Sequence, residues 1–179
     1  MNIVKFNKYD IVFLGFEIDK KIDRYSLINL YKKLIRKYIG NFSLEYDLYG
    51  KPYLTDEYGN LKNISISHSK NIYIIGIDIE DKYKEIGIDL ELNSINNKLK
   101  RKILNKYDIT TIDFKDLWLI KEAALKCLGT GLSFGMKNIL VESKNKIKIE
   151  SSFRKFYFKK LNFILKDKIY FFYLVYEFF

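Results

Sequence analysis

Cysteine, proline, histidine and tryptophan each occur once in this chain, and glycine only nine times in 179 residues. A single cysteine, Cys127, excludes an internal disulfide and a cysteine-rich zinc site. A single proline, Pro52 in "YGKPYL", marks one turn and no Pro-rich linker. No apolar stretch approaches the ~20 residues that a membrane-spanning helix needs. Met1 to Asp10 carries Lys5, Lys8 and Asp10, and the apolar run after it (Ile11 to Phe16) is too short for a secretory leader. The expectation is a soluble, cytoplasmic protein with no membrane partner. Its length suits one domain, able to bury roughly 70% of its unfolded surface without staples.

Charge, by contrast, is abundant and uneven. The chain carries 32 Lys+Arg against 22 Asp+Glu, a formal +10. Residues 1–90 hold 14 basic and 13 acidic side chains; residues 91–179 hold 18 and 9, or +9. A basic half points to an anionic partner: nucleic acid, a phosphorylated small molecule or an acidic protein. The abundance of Lys, Ile, Asn and Tyr also fits an AT-rich genome, which raises lysine for no functional reason.

The hydrophobic pattern divides the chain into elements. Residues 3–18 alternate in a strand-like way. Asp23 to Ile39 places Leu27, Leu30, Tyr31, Leu34, Ile35 and Tyr38 on one helical stripe, with Gly40 as its stop. Ile64 to Ser67, Asn71 to Ile79 and Ile86 to Leu92 read as strands, with "EDKYKE" (residues 80–85) as a turn. Asn96 to Tyr107 and Phe114 to Leu128 read as helices, the second ended by Gly129. Three strands close the chain near 146–150, 153–165 and 168–178.

Two near-copies, "GIDIE" (Gly76 to Glu80) and "GIDLE" (Gly87 to Glu91), each space two carboxylates two residues apart. In a strand, alternate residues share a face. Ile86, Ile88, Leu90 and Leu92 therefore pack one way, while Asp89 and Glu91 converge on the other, with Gly87 leaving room beside them. In the helix "DLWLIKEAALKCLG", Ile120, Ala123, Ala124, Cys127 and Leu128 form the buried stripe, so Cys127 is a small core residue. Glu122 and Lys126, one turn apart, read either as a surface ion pair or as a carboxylate for a metal beside an ammonium for a phosphate. Three carboxylates with no Cys or His ligand pattern suit a hard cation such as Mg²⁺.

The run "GKPYL" (Gly50 to Leu54), "SISHS" (Ser65 to Ser69), "IGIDLE" (Ile86 to Glu91), "WLIKEAALK" (Trp118 to Lys126) and "GTGLS" (Gly129 to Ser133) resembles the 4′-phosphopantetheinyl transferases. The resemblance covers about residues 50–135. With 86 residues ahead of Gly87, the length and order are similar to the larger, two-lobed monomeric type rather than to the short trimeric synthases. It implies an α+β fold built as a pseudo-dimer: two similar lobes, each a small antiparallel sheet packed with a long helix, with the active site between them. The lobes would be residues 1–85, carrying coenzyme A contacts, and 86–179, carrying the metal site and a basic carrier-protein face.

The implied activity is that of a holo-[acyl-carrier-protein] synthase. Phosphopantetheine moves from coenzyme A to a serine of an acidic apo-carrier protein, leaving adenosine 3′,5′-bisphosphate. By this resemblance Asp89, Glu91 and Glu122 hold Mg²⁺, or Mn²⁺, and Lys126 neutralises the pyrophosphate. Glu122, directly or through water, or else Asp108, is the base. Lys51, Ser67, His68, Arg24 and Arg36 contact the nucleotide end. The family's room for two strands between the Ser-His-Ser segment and the metal strand favours Asp89 and Glu91 over Asp78 and Glu80. Outside the resemblance, a Mg-dependent nucleotide pyrophosphate hydrolase and a basic nucleic-acid-binding protein are the competing readings.

Overall fold

Alternating apolar residues in the first fifty positions have to be covered on both sides, and the chain meets this by stacking layers. The structure, a computed structural model, describes residues 1–150 and 153–179. A hairpin opens it: β1 (Ile3–Lys8) and β2 (Ile11–Glu17), so the strand-like run 3–18 is two strands. They turn through Tyr9 and Asp10, both at left-handed φ (55° and 61°), the backbone that lets a two-residue turn follow the strand twist. Helix α1 (Arg24–Tyr38) follows, started by Asp23, whose carboxylate accepts the Ser26 N–H at 3.0 Å. Four strands come next: β3 (Ser43–Tyr46), β4 (Pro52–Thr55), β5 (Leu61–Ser69) and β6 (Ile72–Asp78).

Together these form a six-stranded antiparallel sheet in the order β1-β2-β6-β5-β4-β3. The chain then crosses to a second sheet through β7 (Tyr83–Asp89). Tyr83, Lys84 and Glu85, expected in a turn, are already strand; Asp78 closes the turn instead, accepting the N–H groups of Lys82 and Tyr83 at 3.2 and 2.9 Å. The helix expected over 96–107 is only a 3₁₀ turn and the single turn α2 (Lys100–Ile103), because Leu104 is extended and the Asp108 carboxylate takes the Asn105 N–H. Helix α3 (Phe114–Leu128) runs as expected from an Asp113 cap to Gly129, which is left-handed at φ 74°. The strands β8 (Ile139–Val141), β9 (Lys146–Ile149), β10 (Lys155–Leu165) and β11 (Lys168–Phe178) complete a five-stranded antiparallel sheet, β7-β11-β10-β9-β8. Strands β3 and β8 have no counterpart in the sequence reading, and Pro52, read there as a turn, opens β4.

Setting β1 aside, the first sheet runs β2-β6-β5-β4-β3 and the second β7-β11-β10-β9-β8, the same sequential order. Three apolar layers hold the molecule. Leu14, Phe16 and Ile75 pack under Leu34 and Ile35 of α1. Phe13, Ile72 and Ile74 of the first sheet meet Ile86, Ile88, Phe163, Phe172 and Leu174 of the second. Ile120, Ala123, Ala124 and Cys127 of α3 cover Ile139, Val141, Phe156 and Val175. The order is helix, sheet, sheet, helix: a mixed α+β architecture whose sheets face each other with a helix outside each. Among the described residues no helix is long and apolar enough to cross a membrane.

Candidate active site

The close approach of α3 to β7 builds the site, and Gly87 permits it. A Cβ at position 87 would stand 2.0 Å from the Ala123 carbonyl oxygen and 2.4 Å from the Cys127 nitrogen. The face of β7 that carries Gly87 thus lies directly against the helix, and Asp89, two residues on, shares that face. From the helix side, Lys126 reaches down and donates to Asp89 Oδ1 at 2.6 Å. Glu122, one turn earlier and half-buried, is near enough for the charge on Asp89 to act on it. Burial first, and then that charge, push the Glu122 carboxyl up to about 7, against an opposing pull from Lys126.

Strand β5 bounds the other side. Ser65, Ser67 and Ser69 are buried and alternate along it. Their hydroxyls accept the backbone N–H groups of Ile88 (2.9 Å), Leu90 (3.1 Å) and Leu92 (3.0 Å). Ser67 also donates to Asp89 Oδ1 at 2.9 Å, and Ser69 to Glu91 Oε1 at 2.5 Å. Glu91 Oε1 accepts from the Asn93 backbone and side chain as well. Burial works to raise the Glu91 carboxyl, but these donors outweigh it and hold the group below its usual value.

A cleft of about 290 Å³ opens beside Glu122 and Lys126, lined also by Gly50, Lys51, Ser65, Ile66 and Gly131. Lys51, from the turn before β4, donates to the Cys127 carbonyl at the C-terminal end of α3 (2.9 Å) and pairs with Glu85 of β7. Its stem lies against Gly129. His68 is exposed on the opposite face of β5 from the serines and stacks on Tyr73, with 5.0 Å between ring centres.

The remaining expected site residues lie apart from this cluster. Arg24 is exposed in the first turn of α1. Arg36 lines a separate groove with Lys32, Phe42, Glu45 and Asp56. Asp108 accepts from Lys121 Nζ at 2.6 Å and from the N–H groups of Asn105 and Val141. Lys121, fully buried, also donates to the Ile103 carbonyl. Neighbours on α3 thus point in opposed directions: Glu122 into the cleft, Lys121 inward as a buried anchor. Sequence reasoning gave Lys121 no role; the one signal was an aspartate in the preceding loop. It also missed Ser65, Ser69 and Glu85. The first echo, Asp78, is fully buried and serves the β6–β7 turn.

Among the described residues no three acidic, His or Cys side chains form a ready-made cation cage. The donor set nonetheless suits a hard cation. Asp89 and Glu91 each have one oxygen bonded to protein donors, while no described donor is bonded to Glu122. Lys126 pairs with Asp89, while burial and the Asp89 charge outweigh its pull on Glu122.

Comparison with known proteins agrees with this geometry. The sequence profile of the 4′-phosphopantetheinyl transferase superfamily matches residues 74–168, which spans β7, α3 and most of the second sheet. A protein of Synechocystis sp. (strain ATCC 27184 / PCC 6803 / Kazusa), provisionally named as a 4′-phosphopantetheinyl transferase, is 29% identical over 104 residues. The match covers 51% of this chain and 41% of that relative's length. With the glycine-bearing strand, the glutamate–lysine helix turn and the profile falling on the same residues, the chain belongs to the 4′-phosphopantetheinyl transferase superfamily.

Proposed function

We propose that the protein transfers 4′-phosphopantetheine from coenzyme A to a serine hydroxyl of an acidic apo-carrier protein. The observation that carries this is the meeting of Asp89, Glu122 and Lys126 beside a cleft walled by the first sheet on one side and by α3 on the other. The serine oxygen attacks the phosphorus bearing the pantetheine arm. A P–O bond of the pyrophosphate breaks, and adenosine 3′,5′-bisphosphate leaves with the electron pair. Asp89, Glu91 and Glu122 would hold a divalent cation, magnesium or manganese, which would supply positive charge to the pyrophosphate. Lys126, hydrogen-bonded to Asp89, would neutralise charge growing on the leaving oxygen. Glu122 takes the serine proton, directly or through water. We assign that role to Glu122 rather than Asp108, whose oxygens are taken by Lys121, Asn105 and Val141.

Lys51 and His68 are the proposed contacts for the nucleotide phosphates, with Arg24 and Arg36 more remote on α1. Ser67 is 3% exposed and its hydroxyl is engaged with β7, so a nucleotide contact there would need the serine to turn. The shared strand order of the two sheets supports the two-lobed, pseudo-dimeric type; the halves expected at 1–85 and 86–179 meet inside β7, which begins at Tyr83. We take the enzyme to act as a cytoplasmic monomer. The test is incubation with coenzyme A, Mg²⁺ and an apo-carrier protein, read by intact mass. Gain of the phosphopantetheine mass by the carrier is the expected result. Cleavage of coenzyme A with an unmodified carrier would point to a hydrolase, and no reaction with either would overturn the assignment.

A further inference from the structure

The serines of β5 have a chemistry beyond holding two strands together. A hydroxyl that accepts a backbone N–H has one proton left, and that proton needs an acceptor. In Ser67 and Ser69 it goes to the carboxylates of Asp89 and Glu91, the residues flanked by the amides that each serine accepts. Ser65 accepts the Ile88 N–H in the same way, but the residue at the matching place on β7 is Gly87, which offers no carboxylate. Three serines in one register therefore divide into one that only binds strands and two that also aim side chains.

The bonds fall on one oxygen in each case. Ser67 and Lys126 meet Asp89 at Oδ1; Ser69 and Asn93 meet Glu91 at Oε1. Among the described residues no donor is bonded to the second oxygen of either group. We infer that Ser67 and Ser69 are positioning residues that fix Asp89 and Glu91 with one oxygen held by protein and the other presented to a divalent cation. The inference rests on the cation-dependent transfer proposed above. Partners of metal ligands that lie outside the ligand shell commonly set ligand orientation, and their loss lowers metal affinity by about 10–100-fold.

The experiment compares Ser65→Ala, Ser67→Ala and Ser69→Ala in the full chain. Manganese affinity is measured by electron paramagnetic resonance, with and without saturating coenzyme A, and thermal unfolding is measured in a chelator. All three variants lose a backbone acceptor, so all three lower the melting temperature. Only Ser67→Ala and Ser69→Ala should weaken Mn²⁺, by about tenfold, while Ser65→Ala stays within about twofold of wild type. Ser67→Thr keeps the hydroxyl and should restore most of the affinity; it also serves should Ser67→Ala not fold. Equal Mn²⁺ affinity across all three alanine variants would overturn this inference and leave the transferase reading standing. Failure of the wild-type protein to bind Mn²⁺ in either condition would overturn the cation site, and this inference with it.

Discussion

The carboxyl of Glu122 is half-buried beside a second carboxylate, and burial is the larger of the two influences that raise its pKa from 4.5 to about 7. The sign of the resulting pH dependence is fixed. Between about 4.5 and 7 the unfolded chain has lost this proton while the folded chain keeps it. The folded state then binds more protons, so stability falls as pH rises through that window and levels above it. Urea unfolding of the chelated protein should show the decline, and Glu122→Gln should be relatively more stable at pH 7.5 than at pH 5. Asp78, raised by burial, adds a decline of the same sign, but it is present in both proteins and drops out of the comparison. The same substitution should lower transfer by at least about 100-fold if Glu122 is the base. Retained transfer in Glu122→Gln would reassign the proton.

The junction between α3 and β7 is an element-scale fit, and one methyl group tests it. Gly87→Ala would drive a Cβ into helix backbone that has no side-chain freedom to yield. We expect a loss of about 1–3 kcal/mol or more in thermal or urea unfolding, with a fall in transfer as Glu122 and Lys126 move with the helix. Wild-type stability in Gly87→Ala would show that the contact is looser than described. Helix α3 itself was legible because its apolar residues recur at helical spacing and Gly129 ends it. Asp89, Glu122 and Lys126 were legible because strand and helix periodicities each put them on one face. Two features were hidden for physical reasons. Lysine is rarely buried without a paired charge, so nothing in the spacing of Lys121 announced Asp108, 13 residues away. The partners of Ser65, Ser67 and Ser69 lie 22 or 23 residues away, on β7 and the segment just after it, beyond the reach of any local period. The overlong helix at 96–107 failed for a related reason: tertiary hydrogen bonding by Asp108 overrode local propensity.

At the scale of the molecule, charge is segregated along the chain, with +9 in residues 91–179 against +1 before them. Such a half attracts an acidic protein over distances that a small ligand does not sense, and salt screens the attraction within about 8–10 Å at ordinary ionic strength. The KM for carrier protein should therefore rise with added salt much more than the KM for coenzyme A; equal responses would argue against steering. Among the described residues the chain passes between its two sheets once, at the exposed stretch around Glu80 to Lys82, while Phe13, Ile72 and Ile74 press against Ile88, Phe163 and Phe172 with no covalent tie nearby. A protease nick there would cut one strand of connection and leave an oily seal intact. Each separated fragment would bare that seal to water, so the two pieces have reason to stay together, and a broken backbone need not mean a dismantled enzyme.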